Sequence, residues 1–179
     1  NIVIFITNRQ VINNKNITRY KDDELTEYRA ANIGFVFQFY NLIPTLTVLE
    51  NVSLTKEIVK NGMNAAEVLE SVGLKEHMKK FPTQLSGGEQ QRVSIARAIC
   101  KNPTMLLCDE PTGALDSETG VMILKLLPDL SIQKNKTVII VTHNAALAQA
   151  ADKVIHIRNG KITSVDINEN PLDVSEVNW

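Results

Sequence analysis

Apolar positions along the chain fall into short runs, and the polar segments between them change period from two to helical and back. Residues 1–7 (NIVIFIT) and 11–12 are strand-like, while the polar residues 8–10 between them make a poor turn, so the junction is awkward. Residues 22–31 (DDELTEYRAA) read as a short polar helix, and 32–38 (NIGFVFQ) as an apolar strand that delivers Gln38 to a loop containing Pro44. From 46 to 80 the spacing turns helical through Leu49, Val52, Ile58 and Val59, then Val68, Leu69, Val72 and Leu74, with turns at Asn61-Gly62 and Gly73. This predicts a helical subdomain. Ser86 opens a further helix to about Cys100, with Val93, Ile95, Ala96 and Ile99 at helical spacing and Pro103 past its end.

A strand at 105–109, a helix near 117–127, a strand at 137–142 and a helix around 145–151 follow. Strands alternating with helices, the strands being nearly continuously apolar, predict an α/β fold with a mostly parallel sheet covered on both faces. The segments 154–158 and 161–165 flank Asn159-Gly160, a two-residue hairpin signal, so an antiparallel hairpin closes the sheet. Beyond Asp166 the sequence is polar and aperiodic, and a tail without chemistry is expected there.

Composition narrows the functional classes. The 179 residues suit one domain with a true core. A formal net charge of -1 offers no basic field for a nucleic acid. The apolar runs are far shorter than the ~20 residues that span a bilayer, so a membrane role must come through a partner. Residues 1–10 lack the pattern of a secretory signal, which leaves the cytosol as the expected compartment. The two cysteines, Cys100 and Cys108, lie in apolar patterns and are expected to be buried reduced thiols.

Chemistry concentrates at two places. Ser86 and Glu89 form an S-x-x-E capping box, which by itself only starts a helix. Gly87-Gly88 inside the box lack β-carbons, and that opens the helix N-terminal amides to an anion favoured by the helix dipole, a phosphate above all. The run MLLC ends in Asp109-Glu110-Pro111, and in a parallel sheet ligands bind beyond the carboxyl ends of the strands. Two neighbouring carboxylates there can divide the work, Asp109 holding Mg2+ through water and Glu110, facing elsewhere, polarising an attacking water. His143 ends the next apolar strand (TVIIVTH) and faces the same crevice. Gln38 has no independent case.

With these residues in order, the chain resembles the nucleotide-binding domain of an ABC transporter. Gln38 matches the Q-loop, LSGGEQ at 85–90 the signature, MLLCDE at 105–110 the Walker B strand, GALD at 113–116 the D-loop and His143 the switch histidine. GFVFQFYNLIPTLTVLENV and DEPTGALD resemble more narrowly the ATPases of macrolide-export, lipoprotein-release and peptide-resistance transporters. The resemblance implies a P-loop NTPase-like sheet and a single domain over 1–179. That domain divides into a Q-loop and helical signature subdomain at 38–100, a Walker B, D-loop and switch part at 101–165, and a tail at 166–179. It further implies ATP and Mg2+ as cofactors, with Asp109 and Gln38 toward the metal and Glu110 and His143 catalytic. Gln38, Ser86, Gly87, Gly88, Glu89 and Asp116 would bind nucleotide, the signature acting on ATP held by a second such domain. Phe39 and Tyr40 would lie near a groove for a transmembrane permease subunit. The implied location is cytoplasmic, at the inner face of the membrane.

One departure is large. No glycine precedes Gly34 and no Gly-Lys-Ser/Thr occurs, so the family's Walker A loop is not found in this sequence. Its amides and lysine make several charge-assisted contacts of about 1.5 to 3 kcal/mol each, against a total of about 4 to 8 kcal/mol for micromolar to millimolar binding. The chain as written is therefore expected to bind ATP poorly, and to be a fragment or a sequence from which a mobile loop has dropped out. The alternative function is a non-hydrolysing partner that donates its signature in a heterodimer. Retention of Glu110 and His143 counts against it. The interval from Gln38 to Ser86 leaves no room for the coiled-coil arm of chromosome-maintenance ATPases, and a single cassette differs from the paired cassettes of translation-associated relatives.

Overall fold

The helices begin where side chains can satisfy otherwise unpaired amides. The computed structural model describes residues 2–6, 19–55, 59, 61–134 and 136–177; the junction at 7–12 and Ile58 lie outside them. Helix α1 spans Asp22–Asn32, with Asp22, Asp23 and Glu24 in its first turn, and none of its residues is buried. Thr47 caps α2 (Val48–Ser53) in a reciprocal box with Glu50, and Asn64 caps α3 (Ala65–Ser71). Ser86 caps α4 (Gly87–Cys100) in a box with Glu89. Helices α2, α3 and α4 pack on one another through Val48, Val52, Val68, Leu69 and the apolar stripe of α4 around Val93, Ala96 and Ile99.

The strands are β1 (Ile2–Ile6), β2 (Ile33–Val36), β3 (Met105–Asp109), β4 (Thr137–Thr142), β5 (Lys153–Arg158) and β6 (Lys161–Ile167). They form one six-stranded sheet in the order β2-β3-β4-β1-β5-β6. β2, β3 and β4 are parallel, with Val36 beside Cys108 and Cys108 beside Ile140. The expected hairpin closes the other side, its Asn159-Gly160 turn having φ values of 51° and 72°. Both central residues thus sit in the left-handed region that a two-residue turn of this twist requires.

The parallel strands alternate buried and half-buried positions rather than burying both faces equally. Gly34, Val36, Leu106, Cys108, Val138 and Ile140 share the buried face with α4 and with α5 (Ser117–Lys134). Gly34 is the point of closest approach: a Cβ there would stand 2.8 Å from the Ala98 carbonyl oxygen and 2.7 Å from Leu106 Cδ2. Both cysteines are buried, as expected, and burial pushes the Cys108 thiol up to about 12.

Four details differ from the sequence expectation. β1 runs antiparallel to both neighbours, β4 and β5, because apolar alternation sets which face a strand presents and not its direction. α5 continues to Lys134, past the expected end near 127. The run Ala145–Ala150 forms a tighter 3-10 helix rather than an α-helix, since it must turn into β5 almost at once. The tail is not idle chain. Its Leu172 N–H donates to the Gln149 carbonyl at 2.9 Å, and Val174 and Val177 are buried, with the 3-10 turn Val174–Glu176 lying against α5. Two isolated valines produce no periodicity, so sequence pattern could not reveal this anchor.

Candidate active site

Parallel register brings three strand ends to one edge of the sheet. After β2 the chain reaches Gln38, after β3 it reaches Glu110, and after β4 it reaches His143. The Glu110 N–H still donates to the Val141 carbonyl at 2.9 Å, extending the ladder by one residue. The chain then turns sharply. Glu110 has φ 45°, and the Gly113 N–H donates back to its carbonyl at 3.0 Å. A left-handed backbone at a side-chain-bearing residue costs roughly 1 to 3 kcal/mol and persists where the surroundings over-determine it.

Those surroundings are visible at the carboxylate. Oε2 of Glu110 accepts from the Thr142 hydroxyl at 3.0 Å, and Oε1 accepts from the His143 N–H at 2.8 Å. His143 Nδ1 lies 2.6 Å from the same Oε1. An ionised carboxylate can only accept, so with Glu110 charged the proton of that contact belongs to Nδ1. The Glu110 side chain is 19% exposed and the His143 side chain 77%. A mostly sheltered carboxylate is thus braced by a solvent-facing imidazole. Gln38 closes the corner from the β2 side: a Cβ on Gly113 would stand 2.9 Å from Gln38 Nε2 and 3.4 Å from Glu110 Cβ. Asp109 is exposed at the end of β3.

The second cluster sits at the start of α4. The Ser86 N–H donates to Glu89 Oε2 at 2.7 Å, and the Glu89 N–H donates to Ser86 Oγ at 3.3 Å. The Ser86 main-chain N–H, above all, holds the Glu89 carboxyl below its ordinary range, against the opposing effect of burial. His77 Nδ1 lies 3.4 Å from Glu89 Oε1. Gly88 is buried, and a Cβ there would meet Thr119 Cγ2 at 2.1 Å; at Gly87 it would meet the Tyr40 hydroxyl at 2.9 Å. Both glycines thus permit a close approach that a side chain would block, and Ser86 is exposed at the tip. Asp116 caps α5, accepting from the Thr119 N–H at 2.9 Å and hydroxyl at 2.8 Å, and these bonds hold its carboxyl below the ordinary range.

The structure thus gathers Gln38, Glu110 and His143 at one corner, and links Gly88 to Asp116 through Thr119 at another. Sequence reasoning missed Thr142, Thr119 and Arg97. A hydroxyl closing the apolar run TVIIVT, and an arginine inside the apolar IARAIC, were the available signals. Arg97 donates from its two terminal nitrogens to the carbonyls of Asn41 (2.6 Å) and Tyr40 (2.9 Å), and burial lowers its pKa.

Magnesium suits the donors at the first corner. It keeps several waters and takes one or two carboxylates together with phosphate oxygens rather than an all-protein cage. Asp109 and the Gln38 amide oxygen are hard oxygen donors of that kind, and among the described residues no group of three or more His, Cys, Asp or Glu forms such a cage. Among the described residues no helix is long and apolar enough to cross a membrane.

Known proteins resemble this chain in sequence and in fold. The family model described as ABC transporter matches residues 6–113, more than half of the chain. A putative ABC transporter ATP-binding protein of Mycoplasma pneumoniae is 45% identical over 172 residues, covering 94% of this chain and 37% of that protein. The lipoprotein-releasing system ATP-binding protein LolD of Bacteroides fragilis is 43% identical over 156 residues, covering 84% of this chain and 72% of LolD. The chain thus spans only about a third of the first relative's length. Among solved structures, the ATP-binding cassette MJ0796, as a dimer in a post-hydrolysis state bound to ADP and Pi, superposes with a TM-score of 0.75 at 41% identity. That superposition covers 87% of this chain and 71% of the cassette.

Proposed function

Because the chain belongs to the ABC transporter family, we propose that it serves as the ATP-binding and ATP-hydrolysing subunit of an exporter. In this reading the closure of two such subunits on ATP drives a membrane permease. The observation that carries the proposal is the Glu110 carboxylate, strained in its backbone and braced by Thr142 and His143 at the shared edge of the parallel strands. A sheltered carboxylate at that edge has the character of a general base, able to take a proton from water attacking the terminal phosphate.

His143 is the only partner of Glu110 here that is both chargeable and open to solvent among the described residues, so it can face a phosphate while steadying the base. Ser86, Gly87 and Gly88 would meet the terminal phosphate held by a second subunit, with Glu89 keeping the helix start in register and Asp116 bordering the same interface. Asp109 and Gln38 would hold Mg2+, which when bound neutralises charge on the phosphate oxygens. The dimeric, ADP- and Pi-bound relative supports this assembly, and the similarity to LolD supports export of the lipoprotein-release type. The proposed partners are a second nucleotide-binding domain and a transmembrane permease, with no nucleic acid. The proposed location is cytoplasmic, on the inner face of the membrane.

The Glu110–His143 pair favours a hydrolysing subunit over a pure signature donor, which needs neither group. The test is to isolate the protein from its own cells and measure its partners, its intact mass and its ATP turnover together. Co-purification with a membrane subunit and turnover lost in Glu110→Gln would support the proposal. Recovery only with ribosomes or DNA would sink it. A protein whose mass is the 19.9 kDa of these residues is expected to bind ATP weakly, which would favour the donor role.

A further inference from the structure

The turn that follows Gln38, like the one at Glu110, holds side-chain-bearing residues in the left-handed region. Tyr40 has φ 21° and Asn41 φ 50°, two side-chain-bearing residues in succession on the left-handed side, and the Asn41 N–H folds back onto the Phe39 carbonyl. Such a turn does not hold itself. The Arg97 guanidinium provides the restraint, placing one terminal nitrogen on each of the two successive carbonyls, 2.9 Å from Tyr40 and 2.6 Å from Asn41. A guanidinium is a rigid planar fork, so two bonds from one group fix the orientation of both peptide units in a way a lysine point charge cannot.

The other end of the same helix touches the same turn. Arg97 lies on α4, whose first residue Gly87 faces the Tyr40 hydroxyl closely enough that a Cβ would stand 2.9 Å from it. The turn therefore meets α4 at two levels about three helical turns apart, hydrogen-bonded at Arg97 and closely approached at Gly87. Its downstream side is secured separately by the fully buried Asn51, whose amide donates to the Ile43, Leu46 and Thr47 carbonyls at 3.0 Å each and accepts from the Ile43 N–H at 2.8 Å. Between these anchors the loop lines a cavity of about 370 Å³ that is bounded by Phe39, Tyr40, Pro44, Pro82 and Gln90.

We infer that Arg97 is a positioning residue that ties the Gln38–Asn41 turn to α4, so that the turn carrying Gln38 and the helix that begins at Ser86 move as one body. Among the described residues the Arg97 side chain bonds to the main-chain carbonyls of Tyr40 and Asn41, so its effect is exerted through the main chain it holds. This inference rests on the proposed transport function, because the tie gains a role only where Gln38 and the Ser86 end both serve nucleotide.

The experiment compares wild type, Arg97→Lys and Arg97→Gln, each isolated with the membrane subunit that accompanies it. Three readouts are needed: thermal midpoint, hydrogen exchange of the amides at 39–43, and ATP turnover with and without the membrane subunit. Both variants are expected to exchange those amides at least about tenfold faster while α2 and α3 keep their protection. Stimulation of turnover by the membrane subunit should fall at least about fivefold, with KM for ATP changing less than about twofold. Unchanged exchange at 39–43 in both variants, or exchange accelerated uniformly throughout the protein, would overturn the inference. So would unchanged stimulation. Absence of turnover in the wild type would instead count against the proposed function, and the exchange data would still decide whether Arg97 ties the turn to α4.

Discussion

Two histidine–carboxylate pairs stand on either side of β1 in one sheet, and they share little beyond an imidazole facing a carboxylate. His143 and Glu110 meet at 2.6 Å where parallel strands end together, and His156 and Asp166 meet at 2.9 Å across the antiparallel hairpin. Glu110 is held by a hydroxyl and a main-chain N–H as well, on strained backbone, with 19% of its side chain exposed. Asp166 is 64% exposed, on a strand whose residues are all exposed. Parallel strands send their carboxyl ends to one edge, where the turns that follow collect polar groups; antiparallel strands send them to opposite edges, and no such collection forms. The same chemical pair is a candidate catalytic unit in one place and a surface contact in the other.

The sharpest break of that comparison is Glu110→Gln. If Glu110 is the base, ATP turnover should fall by about 10²- to 10⁴-fold, while His156→Asn leaves turnover within twofold; equal losses in both variants would erase the distinction. A smaller effect concerns the scaffold beneath the first pair. Leu106 is fully buried under the parallel half, so Leu106→Ala should cost about 2 to 5 kcal/mol in urea unfolding. A cost below about 1 kcal/mol would mean that the parallel half is not the stability core.

Glu89 gives a still smaller, pH-dependent effect. Its carboxyl is held below the ordinary value of 4.5 in the folded chain, so its contribution is present above that value and is lost as pH falls through the lower folded one. Gln at this position keeps the cap but removes the charge. Glu89→Gln should therefore cost about 0.3 to 1 kcal/mol near pH 7 and match wild type once pH lies well below 4.5. A gap that persists in acid would show that charge at the helix start is not the cause. The least effect belongs to the hairpin pair, where His156→Asn should change stability by less than about 1 kcal/mol, and less again at high salt.

Much of this molecule is legible without coordinates. Apolar period and turn chemistry locate β2, β3, β4 and the hairpin, and Ser86 and Glu89 mark the start of α4, because these features depend on neighbours a few residues apart. The ordered motifs at Gln38, 85–90, 105–110 and His143 name the family for the same reason. Other facts depend on residues far apart in sequence, and only the folded chain decides them. Thr142 and His143 reach Glu110 because strand register aligns β3 with β4. Gly88 is filled by Thr119, and Val174 with Val177 anchors a stretch that reads as an idle tail. Even the direction of β1 escapes its own pattern, since alternation fixes the face of a strand and pairing fixes its sense. Local physics thus sets which groups the chain carries and in which elements, while tertiary register decides which of them meet.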